Sequence, residues 1–164
     1  GRNDIQNIMN IATQSLTDFD HQFIDRMAGL LTSSGMAAAA ARLYGLLLLC
    51  DEGPISLDDI AHALSMSRAN AWYAARALER SGHVRRVSQK GSKRALLEIS
   101  SDIVPPAMEQ QLMLQNMSQL LQEQAASTTK PRIAERLQDK AEFCQLICSA
   151  MQNAIAEIRA KRPK

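Results

Sequence analysis

Aromatic residues are scarce in this sequence, which has three Phe, two Tyr and one Trp among 164 residues. Leu, Met, Ile and Ala supply its apolar side chains instead. Strands of β-sandwiches favour aromatic and β-branched residues, whereas Leu, Met and Ala favour helices. The scarcity therefore argues against a β-sandwich and predicts a mainly helical protein.

Long apolar runs are also missing. The run LYGLLLLC at residues 43–50 is far shorter than the roughly 20 residues of a membrane-spanning helix, and no signal-peptide pattern opens the sequence. The three cysteines, Cys50, Cys144 and Cys148, show none of the spacings of zinc sites. We therefore expect a reduced, cytoplasmic protein with no membrane partner, no bound metal and no cofactor.

Motifs for catalysis are absent from the sequence as well. Its three histidines are dispersed, and no Gly-Xaa-Ser-Xaa-Gly motif occurs. The phrase KGSK at residues 90–93 lacks the spacing and the following helix of a phosphate-binding loop. We therefore expect no enzyme activity and no nucleotide site.

Positive charge is concentrated in one segment of the chain. Residues 66–94 contain eight Lys or Arg and a single acid, Glu79, so the segment has a net charge of +7. Because the whole chain has a net charge of +2, the remaining residues together are at −5. A basic segment in an otherwise acidic chain indicates a local site for a polyanion.

Apolar residues at steps of three and four predict four longer helices. They cover residues 4–33, as one helix or as two that break near Thr17, and then residues 36–50, 105–127 and 132–160. The helix at 105–127 has a predicted apolar side of Met108, Leu112, Met113, Met117, Leu120 and Leu121. The last helix has a coiled-coil-like seam, which consists of Ile133, Leu137, Ala141, Cys144, Cys148, Met151, Ile155 and Ile158.

The centre of the chain has the element order of a winged helix-turn-helix: helix, short strand, helix, tight turn, helix, hairpin. Ser56 and Ser67 are typical N-caps for its two short helices, and Gly91 provides the turn between two hairpin strands. The residues expected to pack as the core of the motif are Ile60, Leu64, Ala71, Ala75 and Leu78. We predict a mainly α fold with a small β-hairpin wing, of the α+β class.

Residues in this motif suit double-stranded DNA. In the major groove Arg donates two hydrogen bonds to guanine and Asn pairs with adenine, while basic residues of a wing follow the phosphates or enter the minor groove. Trp72 has two interpretations, partial burial against the hairpin or contact with the DNA backbone. The predicted DNA-binding residues are Ser67, Arg68, Asn70, Trp72, Tyr73 and Arg76 on the helix, and Arg85, Arg86, Lys90, Lys93 and Arg94 on the hairpin.

Residues 23–99 resemble the GbsR-type branch of the MarR family of winged helix-turn-helix transcriptional regulators. The phrases that carry the resemblance are FIDRMAGLLTSSGM, ARLYGLLLLCDEGPISLDDIAHALSMSRANA and ALERSGHVRRVSQKGSKRALLEI. The resemblance implies a homodimeric repressor that binds a pseudo-palindromic operator and is released by a small-molecule effector. Residues 69–73 depart from the branch, which implies a different base preference. Choline sensing is not carried over, because no aromatic cage is visible.

The resemblance divides the chain into three parts. Residues 1–33 are expected to support dimerisation, residues 36–100 to bind DNA, and residues 103–164 to form dimerisation helices. The expected dimer interface is the seam of the last helix, through Leu137, Cys144, Cys148, Met151, Ile155 and Ile158. Two alternatives stay open: a winged helix that binds an acidic protein, and a redox-responsive regulator that uses Cys144 and Cys148.

Overall fold

The computed structural model of the chain describes residues 16–162 except Glu52. The chain is divided into two compact units, with the boundary between Ser101 and Asp102. The first unit combines helices with a small sheet, and the second is made of two helices. The part of the predicted N-terminal helix at residues 4–15 lies outside the described residues.

The first unit contains the predicted winged helix-turn-helix and a helix that precedes it. Its elements in chain order are α1 (Asp18–Ser33), α2 (Ala38–Leu48), β1 (Ile55–Ser56), α3 (Leu57–Ala63), α4 (Arg68–Arg80), β2 (Val84–Ser88) and β3 (Ala95–Ile99). The strands form one antiparallel sheet in the order β1-β3-β2, in which Ile55 pairs with Leu97 and Val84 with Ile99. The predicted mainly α fold with a β-hairpin wing is confirmed.

Side-chain caps set the starts of three helices in this unit. Thr17 and Asp20 form a capping box at α1: Thr17 Oγ1 accepts from the Asp20 N–H at 3.1 Å, and the Asp20 carboxylate accepts from the Thr17 N–H at 2.8 Å. Ser56 and Ser67 cap α3 and α4 as predicted, each accepting a backbone N–H three residues on, at 3.2 and 3.1 Å. The sequence predicted either one N-terminal helix or two helices that break near Thr17. Among the described residues, a helix begins at Asp18.

The core of the first unit draws large side chains from its helices and its sheet. The largest fully buried side chains are Ile24, Leu43, Leu46, Leu47, Ile60, Leu78 and Leu97. All five residues predicted for the core of the motif are buried, so that prediction is confirmed. Gly45 allows α2 to approach α1 closely, because a Cβ at this position would lie 3.3 Å from the Cα of Ile24.

The second unit is an antiparallel hairpin of α5 (Val104–Ser127) and α6 (Pro131–Lys161). One face of α6 is buried or half-buried at steps of three and four, as in a coiled coil. Its members are Ala134, Leu137, Ala141, Cys144, Cys148, Met151, Ile155 and Ile158. This confirms the predicted seam except at its first residue, where Ile133 is exposed and Ala134 takes its place.

The face of α5 that packs on α6 differs from the predicted one. Of the predicted apolar side only Leu121 is half-buried, while the exposed members are Met108, Leu112, Met113, Met117 and Leu120. The covered face is instead made of Val104, Ala107, Gln111, Leu114, Ser118, Leu121 and Ala125. The buried hydroxyl of Ser118 donates to the carbonyl oxygen of Ala141 at 3.0 Å. The predicted apolar side is therefore not the face that α6 covers, because apolar residues surround much of α5 and the partner helix selects the covered face.

The burial pattern of α2 predicts that alanine substitutions of two neighbouring leucines lower the free energy of unfolding by unequal amounts. Leu47 is 2% exposed and Leu48 is 41% exposed. We expect Leu47→Ala to lower the free energy of unfolding by about 2–5 kcal/mol, because burial is lost and a cavity remains. Leu48→Ala is the matched control and should cost less than about 1 kcal/mol. Urea unfolding followed by far-ultraviolet circular dichroism measures both changes, and equal losses would contradict this core.

Candidate nucleic-acid interface

Helix α4 turns apolar residues, most of them alanine, inward and its aromatic and basic residues outward. The buried side consists of Ala71, Ala74, Ala75 and Leu78, and the helix contacts α2, α3 and β2. The exposed stripe of α4 follows steps of three and four through Ala69, Trp72, Tyr73, Arg76 and Arg80. With 13 residues, the helix is about 20 Å long, a length that suits the major groove of DNA.

All six residues predicted on or before this helix are exposed. Arg68 and Asn70 flank the exposed stripe near its start, and the Ser67 hydroxyl is engaged as the N-cap. Arg68 Nε lies 3.3 Å from a carboxylate oxygen of Asp58 on α3. Both of these side chains are largely exposed, so their ion pair contributes little to stability. Three of the six predicted residues lie on the stripe itself: Trp72, Tyr73 and Arg76.

These three stripe residues contact one another on the surface. The ring centroids of Trp72 and Tyr73 are 5.0 Å apart at an interplanar angle of 83°, an edge-to-face pair. The guanidinium carbon of Arg76 lies 5.6 Å from the centre of the Trp72 ring, within cation–π range. Both ring contacts of Trp72 therefore come from its own helix, and the residue remains 43% exposed.

The hairpin β2–β3 carries the other predicted cations. Gly91 has a φ of +85°, in the left-handed region that favours glycine, and this conformation permits the tight turn. Lys90, Lys93 and Arg94 are exposed in the segment between the strands. The two lysines form no ion pair with any described residue, so their charges are available at the tip of the hairpin.

The two arginines of β2 are paired with carboxylates of the same unit. Arg86 donates from Nε and Nη2 to the two carboxylate oxygens of Glu79, at 2.7 and 3.0 Å, and Arg85 forms an ion pair with Glu98. The side-chain hydrogen bond from Arg86 is the main reason that the pKa of Glu79 lies below its ordinary value. Because Glu79 belongs to α4, this bidentate pair ties the hairpin to that helix.

Sequence reasoning missed Arg80 as a candidate. This residue lies one helical turn beyond Arg76 on the exposed stripe and is the last residue of α4. A basic residue in the last turn also stabilises a helix end, which is the simpler explanation of its presence. The spacing of four residues from Arg76 is the signal that could have identified it.

The predicted dimer-interface residues lie in the second unit. Cys144 Sγ is 3.7 Å from Met117 Sδ, and Cys148 Sγ is 3.8 Å from the carbonyl oxygen of Gln111, so both thiols are buried between α5 and α6. Within the part of the chain that the structure describes, no three His, Cys, Asp or Glu side chains are grouped to hold a metal ion. The seam joins two helices of one chain, and its role between two chains stays a prediction.

The pair of Arg86 and Glu79 makes stability depend on pH. We expect Glu79→Gln to lower the free energy of unfolding by about 1 kcal/mol or less at neutral pH, since the pair is partly exposed to solvent. The folded pKa of Glu79 is lowered from 4.5, so its contribution is complete above that value and is lost as pH falls through the folded value. Urea unfolding of both proteins from about pH 7 to about pH 3 should show the difference shrinking. A difference that is constant over this range would contradict the pair.

Known proteins match the winged part of the chain. Residues 40–96 match the model of the MarR family. The HTH-type transcriptional regulator MmpR5 of Mycobacterium tuberculosis is 31% identical over 78 residues, which are 48% of this chain and 47% of that protein. This chain therefore spans about half the length of the relative that it matches.

A solved structure is similar over more of the chain. A protein described as a transcriptional regulator superposes with a TM-score of 0.76 and 21% identity, over 87% of this chain and 99% of that one. At this level of identity the likeness shows a shared fold. The winged helix-turn-helix of this chain is thus similar to the MarR family over residues 40–96, and its fold is shared with that solved structure.

Proposed function

We propose that the chain is a sequence-specific regulator of transcription that binds double-stranded DNA through α4 and the β2–β3 hairpin. The observation that supports this most strongly is the exposed stripe of α4, which combines aromatic rings with Arg76 and Arg80. The same unit carries Lys90 and Lys93 at the hairpin tip, and none of these four cations forms an ion pair with a described residue. Cations and polar groups of this kind suit the phosphates and base edges of a DNA groove.

The helix and the hairpin have different tasks in this proposal. Helix α4 lies in the major groove, where Arg76 donates to guanine and Asn70 pairs with adenine. Lys90 and Lys93 contact phosphates or enter the adjacent minor groove. Arg86 acts mainly by holding the hairpin in place, since its guanidinium already donates to a carboxylate. Contacts to bases therefore set the sequence preference, and the hairpin tip adds affinity.

We also propose that the chain is a homodimer. The outward faces of α5 and α6 expose large apolar side chains that the seam leaves uncovered, among them Leu112, Leu120, Phe143, Leu146 and Ile147. Two helices joined by one seam bury few side chains, and a second copy placed over these faces would bury more. The seam residues then hold each pair of helices together and keep the outward faces in place. Two copies would present two α4 helices to half-sites about 34 Å apart.

The branch of the family and the mode of regulation are proposed from the sequence phrases in residues 23–99. They favour the GbsR-type branch of the MarR family, a cytoplasmic repressor without catalytic activity, and release from a pseudo-palindromic operator by a small-molecule effector. Such an effector acts only if it binds the two states of the protein with unequal affinity. None of the described helices combines the length and the apolar character that spanning a bilayer requires.

The two alternatives are less well supported. A redox-responsive regulator requires a thiol that solvent reaches, whereas Cys144 and Cys148 are buried. Binding to an acidic protein is separated from DNA binding by selecting bound duplexes from a random pool and footprinting the selected sequence. Enrichment of a pseudo-palindrome would support the proposal, and a pool without sequence preference would contradict it.

Two substitutions distinguish base reading from phosphate binding. Arg76→Ala should change the selected sequence and cost about 1–3 kcal/mol on the original operator, because a bidentate contact to guanine is lost. Lys93→Ala should weaken all duplexes alike and reduce the slope of log affinity against log salt by about one. Fluorescence anisotropy with specific and scrambled duplexes measures both effects. Unchanged operator discrimination in Arg76→Ala would contradict the placement of α4.

The proposed dimer predicts the effect of charge on its apolar surface. Leu146 is exposed on the outward face of α6, and Leu146→Glu should shift the chain from dimer to monomer because a buried carboxylate in the interface is costly. Gln152→Glu adds the same charge at another exposed position of α6 and serves as the control. Light scattering after size exclusion at micromolar concentration measures the mass of each protein. A wild-type chain that is monomeric under these conditions would contradict the dimer.

A further inference from the structure

Two of the six aromatic residues of the chain stand next to each other on the exposed stripe of α4. Trp72 is 43% exposed and Tyr73 is 67% exposed. The inward side of the helix is closed by three alanines and Leu78, so the core of the unit is packed without either ring. Two large rings kept in solvent on a helix of this kind indicate a contact with a ligand.

The rings lie at the centre of the outward face and not at its edge. Arg68 and Asn70 stand on opposite sides of the stripe, while Trp72, Tyr73 and Arg76 follow its middle at steps of one, three and four residues. When a helix lies in the major groove, the middle of its outward face lies nearest to the base edges, whereas residues on its flanks reach either a base or the sugar–phosphate wall. The aromatic pair is therefore placed to contact bases.

The chemistry of the groove limits what an aromatic pair can recognise there. The apolar group that a base pair presents in the major groove is the C5-methyl of thymine, and the group that suits arginine best is the O6/N7 edge of guanine. Trp72 holds the guanidinium of Arg76 beside its own ring, 5.6 Å from the ring centre. Trp72 and Arg76 are about 6 Å apart along the helix axis, a distance of about two base steps.

We propose that Trp72 and Tyr73 read the C5-methyl group of a thymine, and that Trp72 positions Arg76 on a guanine within two base pairs of that thymine. The inference rests on the DNA binding proposed above and names the bases that α4 reads. Tyr73 packs its ring edge-to-face on Trp72 and so completes the apolar surface against the methyl group. Arg76 reaches the guanine in the orientation that the Trp72 ring gives it.

Base analogues test this inference without changing the protein. In the selected operator, each thymine is replaced in turn by deoxyuridine, which removes only the methyl group, and each guanine by 7-deazaguanine, which removes only the N7 acceptor. We expect one deoxyuridine position in each half-site to lower affinity about fourfold, and a 7-deazaguanine within two base pairs of it to lower affinity about tenfold. Fluorescence anisotropy at constant salt measures each affinity.

Variants of the protein then show which side chains account for these losses. Trp72→Ala should remove the penalty for deoxyuridine and should also reduce the penalty for 7-deazaguanine, since Arg76 loses its support. Trp72→Phe keeps a ring and should keep part of both penalties. Tyr73→Phe keeps the ring and removes only the hydroxyl, so the penalty for deoxyuridine should remain. Both positions are at the surface, and equal thermal unfolding of the three variants confirms that the fold is retained.

Different binding results would contradict this inference and the proposed function. A selected operator whose affinity is unchanged by deoxyuridine at every thymine would overturn the reading of a thymine methyl while leaving DNA binding intact. A Trp72→Ala protein with an undiminished penalty for 7-deazaguanine would overturn the positioning of Arg76. Absence of binding to any duplex would overturn the proposed function and this inference together.

Discussion

The first unit depends on how closely α4 approaches the elements behind it. Its inward face is made of Ala71, Ala74, Ala75 and Leu78, which are all buried, and helices separated by alanine side chains lie close together. A bulkier inward face would push α4 away from α2 and would open the core around the fully buried Ile60. Apart from Leu78, the same close approach leaves little interior space for large side chains of α4. The rings and the long cations of this helix therefore stand on its outer side, which is the side that the proposed function uses.

Ion pairs determine which charged side chains of this surface are neutralised within the unit. Glu79 is the single acid of residues 66–94, and its carboxylate is occupied by the fork of Arg86, so it does not face outward as a bare negative charge. The planar guanidinium suits this bidentate geometry, whereas a lysine ammonium is a compact, strongly hydrated charge on a flexible stem. The arginines of β2 are thus paired with carboxylates of the unit, and Lys90 and Lys93 at the hairpin tip form no ion pair with a described residue.

The sequence predicted those features that short-range chemistry determines. Ser56 and Ser67 were predictable as caps because a cap acts on an N–H three residues away, and the exposed stripe of α4 follows from helical periodicity. The contact between Glu79 and Arg86 was not predictable, since it joins a helix to a strand in an orientation that no periodicity encodes. The covered face of α5 was also beyond sequence reasoning, because its apolar residues surround the helix and only α6 decides which of them are covered. The DNA contacts of all eleven candidate residues stay predictions.

The buried hydroxyl of Ser118 favours one alignment of α5 along α6, which apolar packing alone does not do. Leucine, alanine and cysteine side chains along a seam tolerate several alignments of similar energy, but a buried hydroxyl requires an acceptor at one level only. The bond from Ser118 to the carbonyl oxygen of Ala141 therefore favours the observed alignment of α5 on α6, because a small shift along the helix axis would break it. A displacement of one helix along its axis would therefore break a buried hydrogen bond, so the two helices are expected to move together and not to slide past each other.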